Sequence, residues 1–214
     1  MKKILFAVAI IAITQLAVAQ NTNELANKIA QAYGLSNFSK ASNLSFTFNV
    51  SRENNTTSRS WYWDITTNTV TMKTAKEAVT YKRDTITTAA MKSVDQRFIN
   101  DQYWLLFPYH LVWDAGTTIT TKENVEAPIS KKMMTMLTIQ YNNVDGYTPG
   151  DAYDLFVDAN NVVTEWNFRK GGAATPSLST TWMDNKTFKG IVIPMDHTTA
   201  DEKFRLFFTD VSVN

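Results

Sequence analysis

The chain contains no cysteine, and this absence removes several possibilities at once. Without thiols the protein can form neither a disulfide nor a thiolate zinc site, and it cannot carry a lipid on a cysteine that follows an export signal. Only two histidines are present, His110 and His197, and no HExxH spacing occurs. A zinc enzyme is therefore not indicated, and we expect neither a metal site nor another cofactor.

Glycine and proline are scarce, with 7 and 5 residues, and neither a glycine-rich phosphate loop nor a GxSxG elbow occurs. Basic and acidic residues nearly balance, at 21 and 20, without a long run of one sign. Nucleic-acid binding needs a clustered positive surface, so nucleic acid is not an expected partner. The sequence thus predicts that the chain is not an enzyme. A hydrolase stays an alternative if folding brings carboxylates to His110 or His197.

One apolar run lies at the N-terminus. Residues 4–13 (ILFAVAIIAI) follow two lysines and precede the small residues 17–19 (AVA), which is the pattern of an export signal cleaved near Ala19. The run is too short to span a bilayer. We expect residues 1–19 to be a signal peptide and residues 20–214 to form a single periplasmic or secreted domain that does not span the membrane.

Aromatic residues are plentiful, with 12 Phe, 8 Tyr and 6 Trp, and together with abundant threonine they favour strands. Apolar and polar residues alternate in residues 44–50 (LSFTFNV) and 59–65 (RSWYWDI), as in strands with one buried face. Similar segments with turn residues between them, among them Asp184-Asn185, predict an antiparallel meander. The predicted strands are residues 44–50, 59–65, 68–73, 77–83, 117–122, 132–141, 153–158, 162–169, 178–184, 186–193 and 203–213.

Two segments have helical patterns. Residues 23–34 (NELANKIAQAYG) have an apolar stripe and end at Gly34, which suits a left-handed stop. Residues 100–113 (NDQYWLLFPYHLVW), preceded by residues 93–99, are the second segment. The predicted fold class is mostly β (α+β), in which a long antiparallel sheet closes on itself or is completed by a helix as plug or lid.

The aromatic density of residues 100–113 permits two interpretations. Pro108 and His110 argue against a membrane segment, whereas Tyr103, Trp104 and Phe107 share one helical face before the proline. Large aromatic side chains usually fill a core, but this face is wider than a helix lying on a sheet requires. The segment is therefore either core or the wall or lid of an apolar pocket.

Several motifs together resemble a known family. They are a first helix ending in AYG, the segment NDQYWLLFP, the segment TPGDAYDLFVD and the final FRLFFTDVSV. These are similar to uncharacterised exported proteins grouped near the outer-membrane lipoprotein carriers (LolA/LolB-like). The resemblance implies an unclosed antiparallel β-barrel of about eleven strands, with an N-terminal helix and a helical lid over an apolar cavity that holds acyl chains.

The resemblance and the inward-facing pattern together define a candidate cavity. Arg59, in register with Trp61 and Trp63, is the candidate for the inner-face arginine that latches the lid in soluble carriers. Further inward-facing residues in this pattern are Met72, Ile139, Tyr153, Leu155, Phe204, Leu206 and Phe208. The predicted ligand-binding residues are Phe46, Phe48, Trp61, Trp63, Tyr81, Tyr103, Trp104, Leu105, Phe107, Leu137, Trp166, Phe168 and Trp182.

The predicted function is that of an exported carrier that binds a lipid or a lipoprotein acyl chain. One alternative is a cell-envelope module that binds a protein partner or has a structural role, without a small-molecule ligand. The second alternative is the hydrolase named above. A solid interior beneath Trp104 and Phe107 would argue against the carrier.

Overall fold

The structure is a computed structural model that describes residues 24–53, 55–144 and 148–214. The predicted signal peptide, residues 1–19, lies outside the described residues. The helices are α1 (24–32), α2 (Leu35–Phe38) and α3 (Ala89–Trp113). The strands are β1 (Asn43–Arg52), β2 (Asn55–Asp64), β3 (Thr69–Lys73), β4 (Ala78–Lys82), β5 (Thr117–Glu126), β6 (Met133–Tyr141), β7 (Ala152–Val157), β8 (Val163–Arg169), β9 (Leu178–Thr181), β10 (Met183–Phe188), β11 (Ile191–Thr198) and β12 (Phe204–Val213).

The strands form two antiparallel sheets. The seven-stranded sheet has the order β10-β11-β12-β1-β2-β3-β4, and the five-stranded sheet has the order β5-β6-β7-β8-β9. At one side β9 continues through Trp182 into β10, so the chain passes directly from one sheet to the other. At the other side α3 connects β4 to β5. The predicted mostly β, antiparallel, unclosed architecture is confirmed.

The core lies between the two sheets. In β1 the predicted alternation places Leu44, Phe46 and Phe48 in the buried interior. Trp61 of β2 lies opposite Phe46, and both side chains are buried on the same face. The period of two therefore positions the apolar side chains of this sheet against the other layer.

The region 178–198 differs from the prediction and accounts for the twelfth strand. A turn was expected at Asp184-Asn185, but the hairpin turn lies at Lys189 and Gly190, where φ is 49° and 78°. Met183 pairs with Asp196 and Asn185 pairs with Pro194, so the register is unbroken across Asp184, which has φ of 55° inside β10. Aspartate accepts left-handed backbone in a turn and within a strand alike, so the sequence pattern did not distinguish a turn at Asp184 from a strand that continues through it.

Helix α3 is longer than the segment predicted for it and is kinked. It begins at Ala89, where the Thr88 side chain accepts a hydrogen bond from the Met91 backbone N–H, and it extends over 25 residues. Its backbone leaves helical geometry at Leu106, two residues before Pro108. Phe98 contacts Trp61 of the seven-stranded sheet, and Phe107 contacts Tyr153 of the five-stranded sheet. The helix therefore lies between the two sheets.

Helix α1 packs through Ala26, Ile29 and Ala30, and Tyr33 directly after it is also buried. The sequence pattern places Ala32 on the same apolar stripe as Ile29 and Tyr33, but Ala32 is exposed. Gly34 ends the helix and separates α1 from α2. Its φ of 87° is left-handed, as the sequence predicts. The Gly34 backbone approaches the turn before β11 so closely that an added Cβ would collide with the Gly190 carbonyl oxygen. Glycine is thus required here both for its conformation and for the close approach.

We expect Gly34→Ala to destabilise the protein by roughly 2 kcal/mol or more, because strain at positive φ adds to the collision with Gly190. The free energy of unfolding in urea measures the effect. Gly171→Ala is the matched control, since Gly171 also has positive φ (58°) but nothing lies within 4 Å of an added Cβ. Equal losses in the two variants would contradict the role assigned to the contact with Gly190.

Candidate functional site

A cavity of about 670 Å³ opens between the two sheets, beside α3. The seven-stranded sheet contributes Phe48, Val50, Arg52, Arg59, Phe204 and Leu206 to its wall. The five-stranded sheet contributes Tyr153, Trp166, Phe168 and Leu178, and the preceding loop contributes Thr148. Helix α3 contributes Gln96, Ile99, Asn100, Tyr103 and Trp104. The volume falls within the range of roughly 300–1,000 Å³ that is typical of small-molecule sites.

The cavity wall changes from buried apolar side chains to exposed polar ones. Phe48 and Trp166 are buried in its interior. Arg52, Gln96 and Asn100, in contrast, are exposed. Because apolar surface gains from burial and polar groups are best left near water, this gradient matches a guest with one apolar and one polar end.

Stacked aromatic rings form the apolar part of the wall. The Tyr153 ring stacks with the rings of Trp166 and Phe168, with centroid distances of 5.0 and 5.3 Å. The half-buried Trp104 ring lies 4.5 Å from that of Trp166. These contacts hold the rings of the cavity wall in position, so the wall offers flat, apolar surfaces that are already arranged.

Phe107 packs in the core, whereas the cavity lies beside Trp104. Phe107 is fully buried, and its ring contacts those of Tyr153, Trp166 and Trp182. Trp104, one helical turn earlier, lines the cavity instead. The aromatic segment of α3 thus supplies both core and cavity wall, which resolves the two interpretations left open by the sequence.

Arg59 connects the cavity wall to α3. Its guanidinium donates from Nε to Asp101 Oδ2 at 2.8 Å and from Nη2 to Asp101 Oδ1 at 2.7 Å. Trp61 Nε1 donates to the same carboxylate at 2.8 Å, as does Asn100 Nδ2 at 2.9 Å. The Asp101 side chain is fully buried, and its hydrogen bonds raise the pKa of Arg59. A bidentate ion pair of this kind holds both side chains in a defined geometry.

A second polar network runs away from the cavity. The Tyr103 and Tyr141 hydroxyl groups are 2.7 Å apart, and Tyr141 donates to Asp114 Oδ2 at 2.7 Å. His110 Nδ1 lies 2.9 Å from the other oxygen of Asp114. Burial raises the pKa values of Tyr103 and Tyr141 well above their ordinary range, so both hydroxyls are protonated at neutral pH. His110 therefore belongs to a buried network that ties α3 to β6.

The structure separates the predicted site residues into two groups. Those that line the cavity are Phe48, Tyr103, Trp104, Trp166 and Phe168, together with Arg59. Those that pack in the interior without lining it are Phe46, Trp61, Trp63, Tyr81, Leu105, Phe107, Leu137 and Trp182. For example, the rings of Trp61 and Trp63 both pack edge-on against the Phe98 ring of α3, at 5.4 and 5.5 Å.

Several lining residues were not identified from the sequence. Gln96, Ile99 and Asn100 precede Tyr103 at helical spacing, and extending the helix toward its true start would have found them. Arg52 and Val50 continue the inward-facing alternation of β1. Leu178 and Thr148 carry no local pattern that indicates a site.

The aspartates near β7 and β8 have structural partners. Asp154 accepts hydrogen bonds from Nε and Nη2 of Arg169, both at 3.0 Å. Asp158 accepts from the backbone N–H groups of Asn160 and Val162 in the turn before β8. Within the described ranges, no cluster of three or more histidines and carboxylates is arranged to hold a metal ion. No helix in this same part of the chain has the length and hydropathy needed to cross a bilayer.

No protein-family model and no curated protein sequence matches the chain. Among solved structures, the chain is similar to a DUF1329 family protein from Desulfovibrio piger. The TM-score is 0.48 and the sequence identity is 7%, over 92% of this chain and 93% of that protein.

Proposed function

We propose that the protein is an exported carrier that binds one apolar chain of a lipid or lipoprotein in the cavity between its two sheets. The observation that supports this proposal is an aromatic-walled opening of about 670 Å³ whose walls come from both sheets and from α3. The motif resemblance to outer-membrane lipoprotein carriers, stated above, points to the same class of guest.

The energetics are adequate without any covalent or ionic contact. Each buried methylene contributes roughly 0.8 kcal/mol, so a chain of about fifteen carbons brings on the order of 12 kcal/mol before costs. Ordering of the guest and loss of its translational freedom cost several kcal/mol of this free energy. The remaining free energy corresponds to a dissociation constant of about 1 μM. A carrier that must release its cargo requires no tighter binding.

Helix α3 has the position of a lid in this proposal. It borders the opening with Gln96, Asn100 and Trp104, and the Arg59–Asp101 ion pair fastens it to the seven-stranded sheet. Arg59 itself lines the cavity, so an entering guest meets the same side chain that holds the helix. This arrangement supports the latch role proposed for Arg59.

The proposal predicts that Val50→Glu weakens binding of the neutral fluorescent probe N-phenylnaphthylamine at least tenfold, or by about 1.4 kcal/mol. Val50 is half-buried and lines the cavity, so the carboxylate places a charge where an apolar chain would lie. Fluorescence titration measures the affinity, and circular dichroism verifies the fold.

Val192→Glu is the matched control, because Val192 is also a half-buried strand valine but does not line the cavity. We expect it to bind the probe as the unmodified protein does. Mass spectrometry of solvent extracts should find lipid copurifying with the unmodified protein and less with Val50→Glu. Absence of both lipid and probe binding in the unmodified protein would overturn the carrier in favour of a cell-envelope binding module.

A further inference from the structure

We infer that the guest is an anionic amphiphile, whose apolar chain lies against the aromatic wall and whose negatively charged group pairs with Arg52 at the exposed rim. This inference rests on the proposed function and specifies the chemical class of its ligand. The chemistry required is a carboxylate or a phosphate attached to a single apolar chain.

The charged side chains that line the opening have one sign. Arg52 and Arg59 are the charged residues among those that line it, and no described lining residue carries a carboxylate. The remaining polar lining residues include Gln96, Asn100 and Thr148, which are neutral. Since Arg59 is paired with Asp101, the cavity wall carries one cation outside an ion pair, Arg52, and no anion among its described lining residues, which favours a negatively charged guest.

The two arginines are not equivalent. Arg59 is half-buried, and its Nε and Nη2 both donate hydrogen bonds to the buried carboxylate of Asp101. Arg52 is exposed, and none of the ion pairs found within residues 24–53, 55–144 and 148–214 includes it. Its charge is therefore available to a guest, whereas that of Arg59 is already balanced.

The position of Arg52 suits this role. Arg52 and Phe204 are cross-strand partners in β1 and β12, and the guanidinium carbon lies 5.5 Å from the centre of the Phe204 ring. Both residues line the cavity. An aromatic ring that supports one face of a guanidinium leaves its N–H edge able to bind carboxylate or phosphate oxygens through two hydrogen bonds. The rim is thus a ready site for an anion beside the apolar wall.

Two fluorescent probes separate the charge from the apolar binding. Anilinonaphthalenesulfonate is N-phenylnaphthylamine with an added sulfonate, so a comparison of the two isolates the contribution of one negative charge. We expect Arg52→Gln to weaken binding of the sulfonate by about threefold to tenfold and to leave the neutral probe within about twofold. The affinity for the sulfonate should also fall with added salt, and that for the neutral probe should not.

Arg205→Gln is the matched control. Arg205 neighbours Phe204 on β12 and also lies over an aromatic ring, that of Phe207 at 4.4 Å, but it does not line the cavity. The two variants change the net charge equally. Equal weakening of sulfonate binding in both would overturn the inference, because it would show a general charge effect instead of a site at Arg52.

The headgroup is assigned by displacement of the bound neutral probe. Dodecanoate and dodecyl phosphate should displace it from the unmodified protein at lower concentration than dodecyltrimethylammonium, and the difference should shrink in Arg52→Gln. The stronger of the two anions identifies the carboxylate or the phosphate as the natural group. If the neutral probe binds but the cation competes as well as the anions, this inference fails and the carrier stands. If neither fluorescent probe binds, the carrier itself fails.

Discussion

Replacing Asp101 with asparagine is expected to destabilise the fold by about 3–5 kcal/mol. The buried carboxylate accepts hydrogen bonds from Arg59, Trp61 and Asn100, and an amide offers one acceptor oxygen and directs an NH₂ group at these donors. The Arg59 charge is then left without its partner beside an apolar interior. Urea denaturation followed by tryptophan fluorescence measures the free energy of unfolding.

Two further variants test the reason for this loss. Asp95→Asn removes a comparable ion pair on the same helix, with Arg83, but the Asp95 side chain is less buried, and we expect a loss of about 1–2 kcal/mol. Arg59→Met combined with Asp101→Leu removes both charges and should recover at least half of the stability lost in Asp101→Asn. If the double variant is no more stable than Asp101→Asn, an uncompensated charge is not the cause.

His197 should make the protein unstable in acid. The ring is fully buried against the aromatic rings of Trp104, Trp182 and Phe208, and this burial lowers its pKa from 6.5 to about 3, against the opposing effect of Asp196. Between pH 6.5 and pH 3 the unfolded chain binds a proton that the folded protein does not, so stability falls as the pH falls. The slope is about 1.4 kcal/mol per pH unit, or about 3 kcal/mol between pH 7 and pH 4.

His197→Phe should remove this contribution. The backbone of Thr181 and Pro194 lies near the ring, but neither ring nitrogen of His197 has a partner with good hydrogen-bond geometry among the described residues. Phenylalanine should therefore keep the stability at pH 7 within about 1 kcal/mol. His197→Leu serves as a smaller replacement in case phenylalanine overfills the site. The measurement is the difference between unmodified protein and variant in unfolding free energy from pH 7 to pH 4. Parallel curves would refute the assignment to His197.

Much of the fold follows from local sequence patterns. The alternation of Leu44, Phe46 and Phe48 predicts both the strand and its buried face, because side chains on a strand alternate between two environments. Gly34 marks the end of α1, because few other residues accept its backbone conformation. These features depend on neighbours within a few positions and can be read without tertiary contacts.

The cavity and the ion pair depend on distant residues and could not be derived in this way. The pattern that places Phe46, Phe48 and Trp61 on the inner face cannot tell which of them meets other side chains and which faces open space. That distinction depends on where α3 packs, since its Phe98 contacts Trp61 whereas Phe48 is left at the cavity. Asp101 likewise reads as a polar interruption before an apolar segment, and its partner Arg59 is 42 positions away in the chain.

Strand β9 continues through Trp182 into β10, so the two sheets are connected differently on the two flanks of the molecule. On that flank the layers share an unbroken main chain and a hydrogen bond from the Thr198 backbone N–H to the Thr181 hydroxyl at 3.0 Å. On the other flank they are bridged by α3 and its side chains. The two sheets are thus joined directly by a strand on one flank only. We expect any expansion of the interior to occur by rotation about this connection, with the side chains of α3 resisting it and the hydrogen bonds within each sheet kept.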